Sequence, residues 1–345
     1  MILRQVSPES EAIFDLILAI HRGCEGDYNK LQQNTGVSTE DVRHFQEYST
    51  QFLYNAGNYK GFGDSKFIPR LSPSAFSKLA SSNSTAKKLF EALGEDGAIF
   101  ATKQPGLMHL GFPDKGHLST YYPDSPDITQ AEIESIGEFL ADKGLLPENT
   151  RLRKLKDGTF QVLVASGVEH PPAESIDVKG PLEFELKGNL EGKKLSIVFG
   201  DYKEQMAKIA HEMKQAAQQT ANERQQRMMT EYATSFATGS LLAFKESQKL
   251  WVKDIGPAVD CNIGFIESYR DPASVRSEWE GFVAIVNQER TRAFEKLVSS
   301  APSMIPKLPW GKEFEKDVFQ APDFTSLEVL SFASSGIPAG INVCG

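Results

Sequence analysis

The sequence predicts an α+β protein, mostly helical, from two changes of pattern and its length. Apolar residues recur at helical spacing in the first 143 positions, and near Asp157 the apolar period shortens to two before helical spacing resumes after Asp201. At 345 residues and 38.1 kDa the chain exceeds what one core usually holds, which suggests about two domains or lobes.

Ser7 followed by Pro8 reads as an N-cap with proline at the first helical position, and Ile13, Phe14, Ile17 and Leu18 follow at helical spacing. Ser38 with Asp41 resembles a capping box that opens a second helix with Val42, Phe45, Tyr48 and Phe52 on its apolar face. From Gly57 to Gly63 the periodicity breaks, which predicts a loop. Helical signals return over Ser74 to Leu93, and over Thr129 to Lys143, where Ile133, Ile136 and Leu140 form a stripe that Gly144 ends.

Asp157-Gly158 is a hairpin signal, and Phe160, Val162 and Val164 alternate along the returning strand. Leu182 to Leu186 and Leu195 to Phe199 are two further strand candidates. Asp201 then reads as the cap of one long helix through Met206, Ile209 and Met213 towards Tyr232 and Phe236, with another over Ser240 to Trp251. Ile263 to Tyr269 and Gly281 to Asn287 read as buried strands around the acidic loop Asp271 to Glu280. A helix follows over Glu289 to Ser299, then a proline-rich stretch and a last apolar run, Leu327 to Phe332.

Forty per cent hydrophobic and 24 per cent charged residues exclude collagen, wholesale disorder and a disulfide miniprotein. A net charge of −9 disfavours nucleic acid and anionic lipid as partners. Cys24, Cys261 and Cys344 are too scattered for a disulfide framework and read as free thiols in a reducing compartment. The opening residues lack a signal-peptide pattern, and the apolar run Ile13 to Ile20 is far shorter than the ~20 residues that span a bilayer. A cytoplasmic chain with no membrane partner is the expectation.

Among the histidines only His211-Glu212 begins a zinc-hydrolase helix motif, and Gln215 and Ala216 stand where a second imidazole would be needed. No metal site is expected. Gly57-x-x-x-Gly61-x-Gly63 matches no nucleotide-binding signature, and there is no Gly-x-Ser-x-Gly elbow. What remains suits a peptide. Glu267 and Tyr269, two apart in a strand-like run, would share a face and offer an anion for an ammonium and a phenol for a carbonyl oxygen. The segment from Gly336 to Asn342, kept extended by Pro338, could pair edge to edge with a peptide. The alternative is that Glu267 is a solvated or salt-bridged strand end and the tail an ordinary edge strand.

Three blocks carry a resemblance: residues 54–69, YNAGNYKGFGDSKFIP; residues 264–272, GFIESYRDP, with 278–287, EWEGFVAIVN; and residues 322–330, PDFTSLEVL, with 335–342, SGIPAGIN. In order and spacing they resemble dipeptidyl peptidase III, a family of cytosolic zinc exopeptidases that remove dipeptides from the amino ends of short peptides. The resemblance spans nearly the whole chain. It implies a two-lobed metallopeptidase: residues 1–287 in a lower, substrate-binding lobe with a five-stranded β-barrel-like core, 288–325 in a helical upper lobe, and 326–345 returning to the lower-lobe sheet.

By position, the resemblance gives Glu267 the substrate's α-ammonium, Tyr269 a carbonyl near the scissile bond, and Asn342 the N-terminal dipeptide. Gly336, Ile337, Pro338 and Ala339 would pair with the peptide backbone, and Phe62 and Glu280 would line the cleft. The family's zinc ligands fall on helices C-terminal to residue 345, so none is expected bound here and hydrolysis by this chain alone is not expected. Short peptides are the implied partners of a monomer. The competing class is a non-catalytic peptide-binding or regulatory scaffold.

Overall fold

The computed structural model describes residues 1–61, 64–94, 97–321 and 325–335. Its helical first part runs α1 (Ile2–Val6), α2 (Ser10–Gly23), α3 (Tyr28–Thr35), α4 (Thr39–Asn55), α5 (Pro73–Ala80), α6 (Ser84–Leu93) and α7 (Gln130–Asp142). The periodicity of α2 and α4 is realised as burial: Ile13, Ile17, Phe45, Tyr48 and Phe52 pack in one core with Phe76 and Phe90 from α5 and α6. Phe45 meets Phe76 edge to face and Phe76 stacks on Phe90, geometries that aromatic quadrupoles favour. Side-chain caps begin several of these helices. Ser38 accepts from the Asp41 N–H at 3.0 Å, and Thr129 forms a complete capping box with Glu132.

Ser7 does not cap the first long helix. It closes α1 in an extended conformation, its hydroxyl bonding Ser10 and Asn58, and α2 begins at Ser10 instead of Pro8. A five-residue α1 is too short to announce itself by periodicity.

The strands follow. β1 (Thr150–Lys154) and β2 (Phe160–Ala165) make the predicted hairpin, with Gly158 in the left-handed region at φ 83°. β3 (Glu183–Glu185) pairs antiparallel with β4 (Lys194–Asp201), and β4 lies parallel to β2, giving the order β1-β2-β4-β3. Leu152, Val162 and Ile197 occupy one register row, buried against α7.

Asp201 ends β4 and does not cap the next helix: its carboxylate pairs with Arg151 at 2.7 Å, and Tyr202, at φ 52°, turns the chain. The single long helix expected there is two, α8 (Lys203–Ala217) and α9 (Glu223–Thr238), the second capped by Asn222. α10 (Leu241–Trp251) follows, capped by Ser240.

β5 (Val259–Phe265), β6 (Trp279–Val286) and β7 (Leu327–Ala333) form an antiparallel sheet in that order. Among the described residues two open sheets of four and three strands thus stand where a five-stranded barrel-like core was expected. Closing a barrel requires continuous pairing around the edge. Here α8, α9 and α10 intervene along the chain, and the core of α8 and α9 side chains takes Ala165 from one sheet and Ile263 and Phe265 from the other. Between β6 and β7, α11 (Gln288–Met304) buries none of its residues.

A long-range clasp joins the first helix to the second sheet. The Gln5 side chain donates to the Trp279 carbonyl at 3.0 Å and accepts from the Trp279 N–H at 2.6 Å, 274 positions away. Among the described residues no helix is long and apolar enough to cross a membrane.

Candidate functional site

The glycine-rich loop leaves α4 against α1 and α2. A Cβ at Gly57 would lie 2.4 Å from Val6 Cγ1 and 2.8 Å from Ser10 Oγ, so glycine alone permits that approach. The loop is anchored by polar groups taken out of water. Asn58 donates to Glu9 at 2.5 Å and to the Ala98 carbonyl at 3.1 Å, and Tyr59 donates to the Leu107 carbonyl at 2.7 Å. The Lys66 ammonium, fully buried, pairs with Glu9 and donates to the Ala98 carbonyl at 2.6 Å; burial lowers its pKa, opposed by Glu9. Lys60 and Gly61 are thereby held towards the second sheet.

The turn between β5 and β6 faces them. Its scaffold is the buried Asp271 carboxylate, which accepts the N–H groups of Ala273, Val275 and Arg276 and the Tyr122 hydroxyl at 2.7 Å. Arg276, 1 % exposed, lies over the Tyr122 ring at 5.5 Å. Next to this scaffold Arg270 is buried, its Nε 2.5 Å from Glu278 Oε1. Arg270 also donates weakly, at 3.4 Å, to the Lys60 carbonyl and to Ser335 Oγ, just beyond β7. The Ser335 hydroxyl reaches both Glu278 oxygens at 3.3 and 3.4 Å.

Two carboxyl groups here, Glu278 and Glu280, hold their protons unusually well. Burial pushes Glu278 up to about 7, although Arg270 pulls the other way and Glu280 adds repulsion. Burial also raises Glu280; Ser334, donating at 3.1 Å, opposes this, and the nearby Glu267 charge reinforces it. Glu267 and Glu280 therefore share one electrostatic environment.

Of the predicted site residues, Glu267, Glu280 and Tyr269 are described; Phe62, Gly336, Ile337, Pro338, Ala339 and Asn342 lie outside the described residues. The strand expected to reach Tyr269 ends at Phe265. Ile266 and Glu267 still exchange backbone bonds with Glu278, at 3.0 and 2.7 Å, before Ser268 accepts from the Asp271 N–H and the chain turns. Strand alternation from Glu267 thus does not extend to Tyr269, which is 61 % exposed. Sequence reasoning singled out neither Arg270 nor Glu278. Both stand inside the motif blocks, and a charged residue in a strand-turn-strand connection gives no pattern that separates a buried ion pair from a solvated one.

Comparison with known proteins agrees with the motif blocks. The sequence model of peptidase family M49 matches residues 94–345. The chain belongs to peptidase family M49. The M49 sequence is 43 % identical over 341 residues to a protein named dipeptidyl peptidase 3 from Dictyostelium discoideum, and 37 % identical over 357 residues to one of that name from Homo sapiens. Each alignment takes in 99 % of this chain and 47 % of the relative, so the chain spans about half the length of the curated relatives it matches. A solved structure of DPP III from Caldithrix abyssi aligns over 95 % of this chain and 49 % of its own, at 14 % identity and a TM-score of 0.49.

M49 proteins are metallopeptidases, with zinc the typical metal. Among the described residues no three His, Cys, Asp or Glu side chains gather to hold a metal ion.

Proposed function

We propose that this chain carries the peptide-binding surface of a dipeptidyl peptidase III-like metallopeptidase, gripping short peptides by their free amino end. The observation that supports it best is the nearness of Glu267 to Glu280, a carboxyl that burial raises and the Glu267 charge raises further. A substrate α-ammonium placed between them relieves that repulsion and is itself stabilised, whereas an internal peptide segment offers no such charge. Tyr269 supplies a phenol for a substrate carbonyl, and Gly336 to Ala339 with Asn342 would hold the dipeptide's backbone.

Calorimetry with a short peptide and its N-acetylated form tests the grip. The free amine is expected to bind at least 10-fold more tightly, and Glu267→Gln to erase most of that preference. Equal binding of both peptides would overturn it.

A further inference from the structure

β7 is poorly held by burial. Glu328, Val329, Leu330 and Ser331 are all exposed, and the β6–β7 register shifts between Val283 and Ala284. A strand with no buried face specifies its register weakly, because a slip moves no apolar set out of a core. A stronger constraint sits at its far end, where Ser334 bonds Glu280 and Ser335 meets Arg270 and Glu278.

That constraint spans three separated parts of the sequence. The Arg270 side chain is 1 % exposed and that of Glu278 is 9 % exposed, so their ion pair is desolvated and either group without the other would be costly. Nη1 of the same guanidinium reaches the Lys60 carbonyl, and Nη2 has no hydrogen-bond partner among the described residues. A Cβ built on Gly61 would sit 3.8 Å from both that Nη2 and the Ser335 carbonyl oxygen, which places the loop, the turn and the end of β7 side by side.

We propose that Arg270 and Glu278 are positioning residues whose buried pair pins Ser335 against the turn and the glycine-rich loop, fixing the register of β7 and the point from which the chain continues beyond it. For peptide binding this rests on the function proposed above, since Gly336 to Asn342 follow directly. The pin itself is a property of the fold.

Hydrogen exchange followed by mass spectrometry on the full 345-residue chain tests it, with fragments covering 327–335 and 259–265. Ser335→Ala, which deletes one hydroxyl, is expected to speed exchange in 327–335 about 3- to 10-fold, the range for a lost hydrogen bond. Arg270→Lys keeps the charge without the planar fork and is expected to exceed it. Exchange in 259–265 stays within about 2-fold, and Glu278→Asp restores part of what Glu278→Gln loses. The pin is overturned if Ser335→Ala and Arg270→Lys both leave 327–335 at the wild-type rate, and equally if 259–265 accelerates as much, which marks general loosening. Peptide affinity in the same variants separates the two proposals. If wild type binds no peptide, the peptide-binding reading fails while exchange still judges the pin; if wild type binds and affinity ignores accelerated exchange, the positioning role in binding is overturned.

Discussion

A glutamate raised to about 7 carries a proton in the folded chain that an unfolded glutamate, near 4.5, has released. Between those values the folded state binds more protons, so Glu278 lowers stability as pH rises through that window and has no further effect above it. The shift corresponds to roughly 3 kcal/mol at most. Urea unfolding at pH 5 and pH 8 should show this slope in wild type and a flatter one in Glu278→Gln; an unchanged slope would remove Glu278 as its source. Lys66 is the opposite case, an ammonium whose loss strands Glu9. Lys66→Ala should cost about 3–5 kcal/mol in urea unfolding, and adding Glu9→Gln should recover part of it. The acids flanking the turn were legible as sequence motifs. Their pairing was not: Arg270 lies only eight residues from Glu278, but its burial depends on Lys60 and Ser335, which are distant in sequence and meet it only when the fold brings loop, turn and strand end together.

Helices were the most readable elements, since an amphipathic stripe and a cap are both local. The apolar faces of α2, α4 and α7 are the ones buried, and Thr129→Ala is expected to cost about 1 kcal/mol of thermal or urea stability by dismantling the capping box. Where local signals competed, the longer-range interaction decided. Asp201 has an ordinary capping side chain, yet Arg151 across the sheet takes it. Strands were recognised but not their partners: nothing in the alternation of Phe160 to Val164 distinguishes a parallel neighbour from an antiparallel one, so the β2–β4 pairing and the open form of both sheets emerged only from the structure. The end of β5 was misplaced because Ile266 and Glu267 continue the backbone pairing for two residues while the chain prepares to turn.

Large apolar side chains reach solvent in several parts of the molecule. Leu297, Trp310, Phe314, Val318, Val329 and Leu330 are each at least 50 % exposed, on and after α11 and along β7. Exposed apolar surface favours association. Sedimentation velocity should therefore show concentration-dependent association of the isolated chain, reduced by Leu330→Lys with Phe314→Ser; a monomer at every concentration would contradict this. The expectation of two lobes came from length and resemblance, and length alone could not say which residues would face solvent. The clasp between Gln5 and Trp279 has a consequence for synthesis. At roughly 5–20 residues per second, the segment that receives Gln5 leaves the ribosome about 15 to 55 s after Gln5 itself. α1 is thus seated long after it is made, and until then the growing chain must keep it from settling on anything else.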